Sequence, residues 1–242
     1  MSLASQILTQ LQPHHIPPPS QEWLQTLVSS RNPPPPLNSL VMTAKTRLLA
    51  SDLTTPGLLD AAKIPTICLP EGVAAPTVKE TRLGTDVYVQ VVDIENLSKS
   101  RWDQVEALEA IERGEQTRGR EVIRLPVGGS EGDELAARRE GGTTTQADNA
   151  GASRNVTHRL LLQDCRRQQV YGLELVRLPE ITIGSLNIGS KILLKKGTIV
   201  SRGVIMLEPS SCQFLGGKVD AWHKAWTSGL LARLREAARA GD

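Results

Sequence analysis

Residue types that carry catalysis are few and scattered in this sequence. The four histidines either adjoin prolines or stand alone, so none has the spacing of a zinc site. The glycine runs at 128–132 and 216–217 lack the Lys-Ser or Lys-Thr pair of a phosphate-binding loop. We therefore predict no enzymatic activity, no metal and no cofactor.

The three cysteines are odd in number and far apart, at Cys68, Cys165 and Cys212. This pattern indicates buried free thiols rather than a disulfide scaffold. The first residues lack the basic and apolar regions of a secretory signal, and no apolar run approaches the roughly 20 residues that span a bilayer. We expect an intracellular protein with no membrane association.

Positive charge is concentrated in the second half of the chain. Residues 154–242 contain 14 Lys/Arg against 7 Asp/Glu, a net +7, whereas residues 1–153 contain 14 against 19. This asymmetry is typical of contact with nucleic acid or with an acidic partner. The candidate DNA-binding residues are Arg166, Arg167, Lys195, Lys196 and Arg202. The predicted barrel strands offer only Tyr88 and Tyr171 for stacking on bases, so we expect weak, salt-sensitive phosphate contact with single-stranded or branched DNA.

Five apolar runs predict the strands that would position these side chains. The last two are Lys191–Lys196 and Thr198–Leu207, with Gly203 as a bulge or bend inside the second run. Val204–Leu207 does not alternate, which predicts a strand covered on both sides. Three earlier runs are Val78–Asp93, Val156–Asp164 and Gln169–Arg177. The fold class is therefore mainly β with helical appendages, built on a five-stranded OB-fold barrel.

Helices are predicted at both ends of the chain. Residues 1–62 form a small three-helix bundle, in which Ser20 caps the second helix and Asn38 or Ser39 opens the third. Residues 63–242 form the OB-fold domain, which closes with an amphipathic helix over 218–240. That helix is expected to pack on its own barrel.

A long insertion, residues 94–154, separates the first two predicted strands. Ser100 caps a helix with Trp102, Val105, Leu108 and Ile111 at helical spacing, which ends at Gly114. A Gly/Ser/Thr-rich segment further on is predicted to be disordered. In an OB barrel the first loop is one of those that meet ligands. The candidate partner-binding residues here are Trp102, Val122, Ile123, Arg124 and Leu125.

Four segments of the C-terminal third resemble the RecQ-mediated genome instability protein 1 family. They are GSKILLKK at 189–196, RGVIMLEP at 202–209, LGGKVDAW at 215–222 and LLARL at 230–234. The resemblance implies a helical bundle followed by an OB-fold with a long first loop. Longer relatives add a second OB-fold, so the chain resembles the short, single-barrel forms.

The same resemblance implies a function. Members are nuclear, non-catalytic subunits that bind topoisomerase III, a type IA enzyme, and act with a RecQ-type helicase to dissolve double Holliday junctions. The long first loop reaches toward the topoisomerase gate. Lys191 matches a region used for partner contact. The alternative is a stand-alone single-strand-binding OB-fold protein, which the scarcity of aromatic residues disfavours. Oligomeric state and the helicase-contacting surface stay open.

Overall fold

An eight-stranded sheet with helices before and after it forms the fold. The structure, a computed structural model, describes residues 2–30, 33–114 and 156–240. The strands are β1 Thr81–Arg82, β2 Val87–Asn96, β3 His158–Asp164, β4 Gln169–Glu174, β5 Lys191–Leu194, β6 Ile199–Ser201, β7 Val204–Leu207 and β8 Cys212–Gly216. The helices are α1 Leu3–Leu11, α2 Gln21–Ser29, α3 Leu37–Ala50, α4 Ile64–Ile67, α5 Arg101–Glu112 and α6 Asp220–Arg239.

Two compact units divide the chain. The first comprises Met1–Leu97 and Thr157–Ser228, so it holds both the N-terminal helices and the sheet. The second comprises Ser98–Val156 and Gly229–Asp242, so it holds α5 and the C-terminal half of α6.

Three short amphipathic helices form the N-terminal bundle, as predicted. Their inward residues, including Ile7, Leu24 and Leu48, are fully buried, which supplies the stability that isolated helices of this length lack. The Ser20 hydroxyl accepts the Trp23 amide at 3.1 Å and caps α2. Helix α3 begins at Leu37, earlier than the predicted Asn38 or Ser39, because the carbonyl of Pro36 already accepts the Leu40 amide at 3.1 Å.

The sheet has the order β1-β6-β7-β4-β3-β2-β5-β8. All neighbours are antiparallel except β4 and β7, which run parallel. Strands β7 and β8 lie far apart in this order, yet only residues 208–211 separate them in the chain. The path β7-β4-β3-β2-β5-β8 must therefore curl until its two ends meet. The inner face is apolar and fully buried, and includes Val89, Leu162, Ile192 and Ile205.

The structure has eight strands where five are predicted; β8 lies outside all five predicted runs, and Gly203 shows another of the reasons. The predicted strand Thr198–Leu207 is a hairpin, β6 and β7, in which Ser201 pairs with Val204 across the two-residue turn Arg202-Gly203. Both turn residues have positive φ, 48° and 79°, as a tight hairpin turn with the twist of its strands requires. A Cβ on Gly203 would lie 2.4 Å from the Ala74 carbonyl oxygen. Glycine marks a turn here, not a bulge.

Two further strand predictions need correction. The run Val78–Asp93 divides into β1 and β2, and β2 continues past the predicted start of the insertion to Asn96. The residues of Val204–Leu207 alternate between half-buried and buried, so the strand is not covered on both sides. Because its half-buried outward residues are also apolar, the sequence of this strand does not alternate between apolar and polar residues. It is β5 whose four residues are all buried.

The C-terminal helix packs on the sheet through its first half, as predicted. The Trp226 indole Nε1 donates to the Asp93 carboxylate on β2 at 2.5 Å. Near the helix start, the amide of Ile188 donates to His223 Nδ1 at 3.2 Å. The N-terminal part of α6 is thereby fixed within the first unit.

The second unit contains the predicted helix after Ser100. Ser100 and Asp103 form a capping box, which satisfies amides at the start of α5. Arg235 of α6 donates to the Glu109 carboxylate at 2.8 Å and 3.1 Å, and Arg101 donates to the Ala237 carbonyl at 3.0 Å. The predicted disorder and the apolar patch after Gly114 fall outside the described residues.

Candidate partner and nucleic-acid interfaces

Lys191 lies in the interior of the first unit, not on its surface. It stands opposite Gln90 in the pairing of β5 with β2, and its side chain is 0% exposed. Its Nζ donates to the Gly189 carbonyl at 2.6 Å. Burial lowers the pKa of Lys191 to about 8, while the nearby Asp52 carboxylate opposes that shift. An ammonium enclosed in this way is not available to a partner surface, so its position does not support the predicted contact.

Gln90, which lies opposite Lys191, is the centre of a largely buried polar network. Gln90 Oε1 accepts the Leu53 amide at 3.0 Å, and Gln90 Nε2 donates to Asp52 at 2.6 Å and to Gln163 at 3.2 Å. Burial alone would raise the pKa of Asp52, but hydrogen bonds from Gln90 and Thr54 and the charge of Lys191 leave it lowered. The network joins the residues after α3 to the outer face of β2. The sequence signal for it is one glutamine inside the valine-rich run of β2.

The five predicted DNA-binding residues are all exposed, and the topology places them at one end of the sheet. They are Arg166 and Arg167 between β3 and β4, Lys195 and Lys196 between β5 and β6, and Arg202 between β6 and β7. On β2, Val89 pairs with Asp164 and Val87 with Leu194, so the ends of β3 and β5 lie beside the start of β2. Val204, which follows Arg202, pairs with Tyr171 near the start of β4. None of the five cations forms an ion pair with a residue in the described ranges.

Asp164 fixes the turn that presents two of these arginines. One carboxylate oxygen accepts the amides of Arg166 and Gln168, both at 2.8 Å. The other oxygen accepts the Leu69 amide at 2.9 Å, so both oxygens of the fully buried Asp164 carboxylate have a hydrogen-bond donor. Arg167 takes a left-handed conformation with φ 66°. Because Asp164 accepts three backbone amides, the turn is held in one conformation, which fixes the positions of the Arg166 and Arg167 backbones.

Two clefts at this end of the sheet share Arg82. One has a volume of about 550 Å³ and is lined by Arg82, Arg166 and apolar residues that include Val78. The second, of about 310 Å³, is lined by Arg82 and Lys196. Arg82 donates to the Gly197 carbonyl at 3.3 Å and lies 3.9 Å from exposed Glu80. Sequence reasoning missed Arg82 because β1 was merged into a longer strand.

Of the five candidate partner-binding residues in the insertion, Trp102 is the one that lies within the described residues. It lies on α5 in the second unit and is 45% exposed. Val122, Ile123, Arg124 and Leu125 lie outside the described residues. The predicted partner role of all five stays a prediction.

Within the described ranges, no group of three His, Cys, Asp or Glu residues is arranged to hold a metal ion. No helix described by the structure is both long and apolar enough to cross a membrane.

A curled, mostly antiparallel sheet of this strand order has the architecture of an OB-fold domain. Residues 69–230 match the family model described as RMI1, N-terminal OB-fold domain, and residues 8–56 match that of the RMI1 N-terminal helical domain. The chain therefore belongs to the RecQ-mediated genome instability protein 1 family. It is 34% identical over 179 residues to RecQ-mediated genome instability protein 1 of Schizosaccharomyces pombe (strain 972), covering 71% of this chain and 75% of that protein.

Proposed function

We propose that this protein is a non-catalytic accessory subunit in RecQ-dependent maintenance of genome stability. The observation that carries the proposal is the family match across both the helical and the OB-fold domains. The name of the fission-yeast relative refers to RecQ-mediated genome instability. A role of this kind places the protein in the nucleus.

In its finer form, the proposal is that the OB-fold domain binds a type IA topoisomerase III and cooperates with a RecQ-type helicase. The long first loop then modulates the topoisomerase gate, which promotes decatenation and the dissolution of double Holliday junctions. Support comes from the family resemblance and from exposed Trp102 on α5, the helix of that loop. Large exposed aromatic residues are frequent anchors at protein interfaces.

The test replaces residues 98–153 with a short Gly/Ser linker and measures decatenation by the topoisomerase. We expect stimulation by the wild-type chain to disappear while binding of the topoisomerase persists. The control is Arg235→Ala, which removes the bonds between α6 and Glu109 but keeps the loop. Undiminished decatenation by a folded linker variant would exclude the gate role, and equal loss in the control would assign the effect to helix packing instead.

A second function is favoured by the cations at one end of the sheet, which are free of ion pairs within the described ranges. They suit weak contact with DNA phosphates, so salt should weaken binding steeply. The test compares Lys195→Glu/Lys196→Glu with Lys224→Glu, an exposed lysine on α6. We expect the double variant to lower the affinity for single-stranded DNA and to reduce the dependence of that affinity on salt. Lys224→Glu should have a smaller effect per reversed charge on both quantities. An equal loss of affinity per reversed charge in the two variants would show that DNA binding does not depend on this end of the sheet.

A further inference from the structure

We propose that the outward face of β3, β4 and β7 docks an apolar segment with acidic flanks from a protein partner. This surface, here termed the open face, is formed by Leu161, Tyr171, Leu173, Leu175, Val204 and Met206. The inference rests on the proposed function in one respect, since it takes the partner to be a protein of the topoisomerase–helicase assembly.

The register of the sheet brings these side chains together. Tyr171 pairs with Leu161 on one side and Val204 on the other, and Leu173 pairs with Met206. Residues that pair directly across strands point to the same side of a sheet. Their neighbours along the strands, such as Leu162 and Ile205, face inward and are fully buried. The open face is therefore a second apolar surface on strands whose inner face already forms the core.

Exposure distinguishes this surface from the rest of the described residues. Seven large hydrophobic residues in those ranges are exposed, and three of them lie within residues 171–176, on β4 or just after it. They are Tyr171 at 43%, Leu175 at 56% and Val176 at 50%. A contiguous apolar patch of this kind usually marks an interaction site, whereas scattered exposed residues do not.

The structure holds the open face in place before any partner binds. The Arg159 guanidinium lies 4.5 Å from the centre of the Tyr171 ring and is itself held by Glu95 at 2.5 Å and 2.9 Å. The Leu175 amide donates to the Leu207 carbonyl at 3.0 Å. A preorganised surface loses little entropy on binding.

Buried Glu174 anchors the segment that carries Leu175 and Val176. It accepts hydrogen bonds from the Leu178 amide and Arg177, both at 2.6 Å, and lies 2.9 Å from His158 Nδ1. Burial alone would raise the pKa of Glu174, but these bonds and the charge of Arg177 leave it lowered. The buried carboxylate thus fixes the backbone at this point, and the side chains of Leu175 and Val176 that follow it are exposed.

Charge at the border of the open face selects the kind of partner. Arg202 precedes Val204, and Arg167 lies two residues before β4, so both stand at the same end of the face. Glu95 is paired with Arg159, and Glu208, which follows β7, stands at the opposite end of the face from the two arginines. The excess positive charge favours a partner with acidic residues beside its apolar ones. Nucleic acid is disfavoured, because Tyr171 is the one aromatic ring among these six residues and aliphatic side chains do not stack on bases.

The test measures the affinity of the full chain for purified type IA topoisomerase and, separately, for the RecQ-type helicase. The open-face variants are Leu175→Ser and Tyr171→Ser/Leu175→Ser. The matched control is Met42→Ser on α3, whose residue is 57% exposed against 56% for Leu175. We expect the double variant to weaken binding to one of the two proteins about tenfold or more, with Met42→Ser unchanged. Arg167→Glu/Arg202→Glu should also weaken it and reduce its dependence on salt.

Thermal unfolding of every variant accompanies the binding curves, and Leu175→Ala, a milder change on the open face, replaces any variant that melts early. Unchanged affinity of folded open-face variants for both proteins would overturn the inference and leave the proposed function standing. Loss of binding to a labelled single-stranded oligonucleotide alone would also overturn it, because the face would then be a nucleic-acid platform. A wild-type chain that binds neither protein would overturn the proposed function itself, and the docking assignment with it.

Discussion

Two outward faces of the same sheet contrast in what they carry and in what covers them. The face of β2 and β5 carries Gln90 and Lys191, yet both are 0% exposed beneath the residues that follow α3. The open face carries Tyr171 and Leu175, yet both are exposed. Polarity along a strand therefore does not reveal which side is covered. Polar residues can be buried where every partner is supplied, and apolar residues can be exposed where a partner molecule is expected.

The largest expected effect comes from reversing the charge on the covered face. Lys191→Glu would place a carboxylate in the interior close to Asp52, where two negative charges repel without solvent. We expect a loss of about 3–5 kcal/mol in the free energy of unfolding, measured by urea denaturation. Lys195→Glu, on an exposed lysine four residues later, should change it by less than about 0.5 kcal/mol. Equal stability of the two variants would show that the face is not closed.

Removing the amide at the centre of the network should have the next largest effect. Gln90→Leu leaves the Leu53 amide and a carboxylate oxygen of Asp52 without that partner. We expect a cost of about 1–3 kcal/mol, again from urea denaturation. The control is Gln169→Leu, an exposed glutamine on β4. A cost for Gln169→Leu as large as that for Gln90→Leu would contradict the assignment of the network.

The pH dependence of stability should report the burial of Lys191 directly. Its pKa is about 8 in the folded chain against an ordinary 10.5. Between these values the unfolded chain holds a proton that the folded chain releases, so this group makes stability rise with pH, by up to about 1.4 kcal/mol per unit. At neutral pH the lysine is charged in both states, and the cost of burying the charge is present in full.

The measurement compares the wild type with Lys191→Met at pH 8, 9 and above. Half-buried Cys165 and buried Cys212, whose pKa values are raised by burial to about 11, make stability fall above their ordinary value of 9.0. They are the same in both proteins, so the difference between the two curves isolates Lys191. A difference that does not grow between about pH 8 and 10 would contradict a lowered lysine pKa.

The smallest expected effect on stability is on the open face. Tyr171→Ser removes an exposed ring and its contact with Arg159, which should cost less than about 1 kcal/mol. The thermal midpoint should stay within a few degrees of the wild type. A loss as large as that of Gln90→Leu would show that the ring stabilises the fold, and the comparison between the two faces would weaken.

The local patterns that predicted correctly were those whose cause lies within a few residues. Ser20 and Ser100 predicted the starts of α2 and α5 because a helix cap is made by the adjacent turn. Gly203 misled because a glycine within an apolar run fits either a bulge or a turn. Its positive φ and its contact with Ala74 decide between them, and neither is visible in the sequence.

The candidate sites depended on contacts that are distant in sequence. Lys191 was predicted at a surface because nothing nearby in the chain shows that Asp52 and Leu53 lie over it. The five cations come from three separate turns, and only the strand register shows that those turns share one end. Arg82 was missed for the same reason, since a two-residue strand leaves almost no periodic signal.

The amide of Leu53 bonded to Gln90 has a consequence for how the chain folds. The family models divide the chain between residues 56 and 69, but the hydrogen bonds of Gln90 cross that division. At Gly217 an added Cβ would lie 2.2 Å from the Leu49 carbonyl oxygen, so the backbones of helix and sheet touch directly. The division between the two family models is therefore bridged by direct contacts in the structure. We expect the bundle and the barrel to unfold together, and a chain that begins after residue 56 to lack the Asp52 and Leu53 partners of Gln90.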